Sequence, residues 1–240
     1  MKVAMPTTLR SDTLVARTAR ALAKLSLESE EGAFLGPEDE LLVRLGISRP
    51  TFRQAAKMVE NDRLITVRRG VKGGFYVSRP DAADAIRTLT RYLRLNGANL
   101  HDMWAVSRLI MEEAAGLAAA CADEGLRARL DAFAAANEGA AVETARDVVR
   151  AETELAGLVA AMSGNPAMQL MMSITYSFGL EDDGVALFHD PAQRQEARRL
   201  RRELCRAILQ HDAEVARVMM RRRAAAMGEW LTQATGAAPP

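Results

Sequence analysis

Three cations recur every four residues, at Arg49, Arg53 and Lys57, and they are the part of the sequence best suited to hold a polyanion. Between them Phe52, Ala55, Ala56 and Val59 recur at three- and four-residue steps, so a helix here buries its apolar set and turns the cations outward. A helix amino end disfavours positive charge, because its unpaired N–H groups already carry a partial positive charge. The cationic stripe therefore does not serve the helix itself; phosphates and guanine edges in a DNA major groove would offset its cost. A second basic cluster follows at Arg68, Arg69 and Lys72, in a run closed by Gly73 and Gly74. Glycines permit positive φ in a tight turn, and cations at such a tip suit backbone or minor-groove contact.

The elements that must position these residues are legible around them. Gly36-Pro37 breaks the chain and puts Pro37 in an N1-like place, and Glu38, Asp39 and Glu40 suit the amino end of a helix reaching Leu45. Gly46 supplies the backbone freedom of a tight interhelical turn, Ile47 plugs the angle, and Ser48 is placed to cap the next helix. Leu64–Val67 and Phe75–Val77 alternate as paired strands. Leu35 to Arg79 thus reads as a winged helix-turn-helix. Before it, Ser11 or Asp12 can cap a helix running to about Leu27, with Glu28 to Gly36 as a loop.

Ser78-Arg79-Pro80 ends the second wing strand, and helix restarts at Asp81. The expected domains are a winged helix-turn-helix DNA-binding domain at 1–79 and an all-α effector-sensing and dimerisation domain at 80–240. From Pro80 to Gln233 there is no strand pattern, only helices separated by turn signals at Asn96-Gly97, Asp123 to Gly125, Glu138-Gly139, Gly164-Asn165-Pro166, Glu181 to Gly184 and Asp190-Pro191. The fold class is mainly α, the second domain being a bundle of six or seven helices.

Charge is divided along the chain. The net formal charge is +1, but residues 1–80 carry 14 Lys plus Arg against 9 Asp plus Glu, and the remainder carries 18 against 22. A basic head on an acidic body fits a DNA-binding unit attached to one that does not bind DNA. The amino terminus lacks the apolar run of a signal peptide, and the apolar stretch Leu109 to Ala122 is short and interrupted by Glu112 and Glu113. A cytoplasmic protein with no membrane partner is expected. Cys121 and Cys205 lack metal-ligand spacing and read as buried hydrophobes.

Enzyme chemistry finds little support. The pairs His101-Asp102, His189-Asp190 and His211-Asp212 resemble metal-dependent phosphohydrolases of the HD class, but no further histidine is present. There is no glycine-rich nucleotide loop after a strand and no nucleophile elbow. No lysine follows Lys72, so no Schiff base with pyridoxal phosphate can form in the second half. No enzyme and no cofactor are expected.

The run LGISRPTFRQAAKMVENDRLITVRRGVKGGFYV resembles the amino-terminal domain of the GntR family of bacterial transcription regulators. That resemblance implies base contacts by Arg49 and Arg53, a phosphate contact by Thr51, and minor-groove entry by Lys72 with Gly73. Gln54 stands where the family usually has Glu. Further on, Arg108 and Glu112 followed by AAGLAAA, and MSGNPAM at 162–168, resemble the FCD ligand-sensing domain of the FadR subfamily. The implied architecture is an all-helical sensor that dimerises and holds two winged domains on a two-fold related, double-stranded operator.

Many FCD domains hold a divalent metal through an aspartate and three histidines. The corresponding positions here are Glu152, Ala156, Arg201 and Arg223. Guanidiniums have no lone pair to offer and repel a cation, so no metal is expected. Glu152 falls in the stripe Val148, Glu152, Leu155, Val159, Met162, and Arg223 in Met220, Arg223, Met227, Trp230, so both charges should point inward. Arg108, in step with Trp104, Met111 and Ala115, is a candidate for the same cavity. Two readings follow: a small carboxylate or other anionic effector held by some of Arg108, Arg201 and Arg223, or an internal ion pair from Glu152 to arginine in place of the metal. The whole reads as a homodimeric, ligand-responsive regulator, a repressor by the common family mode. The alternative is an architectural DNA-binding protein whose second domain only dimerises.

Overall fold

The computed structural model describes residues 13–70, 73–138, 144–179, 185 and 187–235. The chain divides between Ala85 and Ile86 into two compact units. The first holds α1 (Leu14–Leu27), β1 (Phe34–Gly36), α2 (Glu38–Leu45), α3 (Arg49–Asn61), β2 (Ile65–Arg68) and β3 (Gly74–Val77). Thr13 caps α1, its hydroxyl accepting from the Ala16 amide at 3.2 Å; Ser11 and Asp12 lie outside the described residues. Pro37 is the N-cap of α2, one position earlier than the N1 place expected, and Gly46 closes that helix at φ 64°.

The small sheet is antiparallel in the order β1-β3-β2. In the hairpin Ile65 faces Val77 and Arg68 faces Gly74. β1 corrects the sequence reading, which placed these residues in a loop: Phe34 pairs with Tyr76 and Gly36 with Phe75. Three residues are too few to display an alternation. Helices and sheet close on Leu22, Leu41, Phe52, Val59, Ile65 and Phe75. Phe52 meets Phe75 edge to face at 4.9 Å, which fixes α3 against the hairpin. Arg79 ties the end of the hairpin back to α1, donating to the Ser26 hydroxyl at 3.2 Å and to the Ser26 carbonyl at 3.1 Å.

Gly74 is required where β3 passes under Phe34. Its φ is +151°, and a Cβ there would stand 2.6 Å from Phe34 Cε2 and 2.9 Å from the Gly36 carbonyl oxygen. Gly74→Val is expected to destabilise the winged unit by about 1–3 kcal/mol, from backbone strain together with displacement of β1. Urea unfolding followed by circular dichroism checks this; an unchanged midpoint would mean that β1 contributes nothing to the sheet.

The second unit consists of helices, α4 (Ala82–Leu95) entering it, then α5 (Leu100–Ala119), α6 (Glu124–Glu138), α7 (Ala145–Met162), α8 (Pro166–Gly179), α9 (Pro191–Leu209) and α10 (Ala213–Thr235). The mainly α architecture expected from the sequence is the one observed. Two of the expected turns, at Gly139 and at Glu181 to Gly184, lie outside the described residues. Capping boxes start α5 at Asn99/Asp102 and α7 at Thr144/Asp147. Asp190 caps α9 ahead of Pro191, accepting from the Ala192 amide at 2.8 Å.

α5 and α10 lie along one another, and α6, α7, α8 and α9 complete the core. Met111, Ala115 and Ala118 of α5 pack with Leu155 and Val159 of α7, Leu204 and Ile208 of α9, and Met220 of α10. Alanines at these positions let the helix axes approach closely. On the outer edge Arg217 of α10 lies over Gly116 and bonds Glu113 at 3.2 Å, while Arg221 pairs with Glu112. No helix among the described residues is long and apolar enough to cross a membrane. Cys205 is buried and Cys121 half-buried, and both are free thiols.

Candidate functional site

The apolar face of α3 decides what its other face offers. Phe52, Ala55, Ala56 and Val59 are buried, and Arg49, Arg53 and Lys57 are all exposed. Thr51 is half-buried, and its hydroxyl lies 3.0 Å from that of Ser48. Ser48 occupies the N-cap position but makes no side-chain bond to the helix amides, contrary to the capping role expected.

Two acids of α2 reach the first two arginines. Arg49 donates from Nη2 to Asp39 Oδ1 at 2.5 Å, and its Nε lies 3.3 Å from Glu38 Oε1. Arg53 Nε donates to both oxygens of Glu38, at 3.1 and 3.3 Å. Sequence reasoning took Glu38 and Asp39 only as acids favoured by a helix amino end. Nothing in their spacing showed that they would meet α3 across the turn.

At the hairpin, Arg68 lies with its guanidinium carbon 4.1 Å from the Tyr76 ring centroid, a cation–π contact that leaves the side chain exposed. Arg69 is exposed, and the Gly70 beside it has φ 104°. The Gly73 amide donates to the Gly70 carbonyl at 2.8 Å, and a Cβ on Gly73 would sit 2.7 Å from that oxygen, so the turn itself demands glycine there. Lys72 lies outside the described residues.

In the helical unit Glu152 of α7, Arg201 of α9 and Arg223 of α10 meet in the core, at 3%, 1% and 0% exposure. Arg201 Nη1 donates to Glu152 Oε1 at 3.1 Å, and Arg223 Nη2 donates to Oε2. One carboxylate therefore bridges two guanidiniums and links three helices. The Tyr176 hydroxyl of α8 lies 3.5 Å from both terminal nitrogens of Arg223. Burial raises the Tyr176 phenol well above its ordinary range, so it stays neutral. Burial also presses Arg223 down to about 10, which leaves it charged at neutral pH.

Beside this trio is a small, partly open cavity of about 40 Å³. Leu100, Val149, Phe188, Met227 and Leu231 form its apolar wall, with Glu152, Thr175 and Tyr176 as its polar side. Arg201 and Arg223 are not among its lining residues. Arg108 is a correction to the sequence reading. It is exposed, donates to the Ala105 carbonyl at 3.3 Å, and lines a separate outer groove with His101, Trp104 and Gly228. α5 buries Leu100, Met103, Ser107, Met111, Ala114, Ala115 and Ala118, so Met111 and Ala115 face inward as expected, but in the first half of the helix Met103 and Ser107 take the buried side and leave Arg108, one position on, outside. Among the described residues no group of three or more His, Cys, Asp and Glu side chains is arranged to hold a metal ion.

No family model matches the sequence, and no curated protein matches it. Among solved structures, the chain is similar to Streptococcus agalactiae GntR, with 21% identity, a TM-score of 0.66, and coverage of 90% of this chain and 99% of that one. This likeness establishes a shared fold. E. coli McbR/YncC aligns at 17% identity over 92% of this chain and 98% of its own, with a TM-score of 0.42. A GntR family member from Pseudomonas syringae pv. tomato str. DC3000 aligns at 17% identity over 93% and 88%, with a TM-score of 0.40. Scores at that level add nothing to the fold shown by the first.

Proposed function

We propose that this chain is a DNA-binding transcription regulator that acts as a homodimer on a two-fold related operator. The observation that carries this reading is the outer face of α3, where Arg49, Arg53 and Lys57 stand exposed on a helix fixed by Phe52, with Arg68 and Arg69 on the hairpin that follows. One winged unit presents one such helix and reads one half-site, so a two-fold operator calls for two copies. Repression and dimerisation come from the resemblance to GntR regulators.

For the helical unit, the arginine-bound anion is the less economical of the two sequence readings. Both guanidiniums already hold Glu152, and an incoming anion would have to break that bridge. An effector of only a few heavy atoms with one hydrogen-bond donor, the most that about 40 Å³ admits, needs no such break. It would enter the cavity, bond Glu152 or Tyr176, and act through the link among α7, α9 and α10. In this reading Arg201 and Arg223 serve as a strut, and Arg108 stands apart.

Selection of duplexes from a random pool, followed by titration against salt, tests the DNA reading. The expected result is a two-fold sequence whose affinity falls steeply with added salt, as neutralised phosphates release their counterions. Absence of duplex affinity at low salt would overturn it. Titrating the selected complex with short alcohols, amines and carboxylates tests the sensor. Release by none of them would favour an architectural protein whose helical unit only dimerises.

A further inference from the structure

We propose that Glu38 and Asp39 act as a carboxylate guard on α3 that favours operator over non-specific DNA. The proposal rests on reading α3 as the DNA-contacting helix.

The acids are held where they can do this. They open α2, whose amino end favours carboxylates, and the Gly46 turn at φ 64° folds that end toward α3. The pairing is selective along the helix. Arg49 holds Asp39 at 2.5 Å and Glu38 at 3.3 Å, and Arg53 holds Glu38 at 3.1 Å, while Lys57 one turn further has no ion pair among the described residues. The Asp39 side chain is 79% exposed, Arg49 53% and Arg53 64%, with Glu38 at 26%. Ion pairs this exposed contribute little to folding, so stability does not account for the arrangement.

Its effect on DNA contact is larger. Non-specific binding is driven almost entirely by phosphate, and a phosphate approaching Arg49 meets the Asp39 carboxylate beside it. A guanine edge is uncharged and offers two acceptors to one guanidinium. Because Glu38 takes Nε of Arg53, both terminal nitrogens of that fork remain to meet such an edge, already oriented. Glu38 is thus a positioning residue for Arg53, and Asp39 a mask over Arg49 that a matching base edge must displace. The two acids weaken every phosphate contact near them and weaken the correct base contact least.

The test compares Asp39→Asn and Glu38→Gln with wild type on the selected operator and on random duplex, across a salt series. Asp39→Asn is expected to tighten random-duplex binding about tenfold at low salt and to steepen the salt dependence by about one counterion, with a smaller gain on operator. Glu38→Gln is expected to lose operator affinity while gaining on random duplex, because Arg53 is loosened as a charge is removed. Asp39→Glu should restore the wild-type ratio. An unchanged ratio of operator to random affinity in both variants overturns the guard. If wild type binds no duplex at all, the DNA reading itself falls and takes the guard with it.

Discussion

Glu152→Ala is expected to lower the stability of the helical unit by about 3–5 kcal/mol, the cost of leaving buried charge without its partner. Glu152 bridges Arg201 and Arg223, all three at or below 3% exposure, so its loss strands guanidiniums in a medium that cannot solvate them. Against a typical domain stability of about 5–15 kcal/mol, this is a large fraction. Urea unfolding followed by circular dichroism measures it. An unchanged midpoint would mean that another anion holds the arginines, as the anionic-effector reading requires. Formate or acetate should then bind wild type; in the strut reading they should instead rescue only the alanine variant, by filling the space of the lost carboxylate.

Arg53→Ala carries the largest expected effect on DNA, a loss of about 1–3 kcal/mol on the selected operator, or roughly 5- to 150-fold, with relaxed sequence preference at one position of each half-site. Arg53 is exposed, about 100° around α3 from the buried Phe52, and its orientation is set by Glu38. Lys57→Ala is the contrasting control. A lysine contacting phosphate should weaken all duplexes about equally and reduce the salt slope by about one. If both variants lose affinity uniformly across sequences, α3 touches the backbone only and base readout lies elsewhere.

The sequence alone determined the local elements and which way their faces turn. Three- and four-residue steps through Phe52, Ala55, Ala56 and Val59 assigned both the buried side of α3 and its cationic side, because a helix that buries one stripe must expose the other. The same reasoning sent Glu152 and Arg223 inward. It erred by one position on α5, where the exposed Arg108 lies next to the true buried stripe; an amphipathic pattern is broad, and Trp104 borders both sides. β1 was too short to carry a period at all.

Only the tertiary structure decided which faces meet. A repeat of 3.6 residues gives the side of an element but not the element opposite it. The bridge from Glu152 to Arg201 and Arg223, the contact of Glu38 and Asp39 with Arg49 and Arg53, and the separation of Arg108 from the inner cavity all follow from how helices pack. In the core that choice is enforced by the cost of an unpaired buried charge, and at the α2–α3 turn by the left-handed backbone that Gly46 allows.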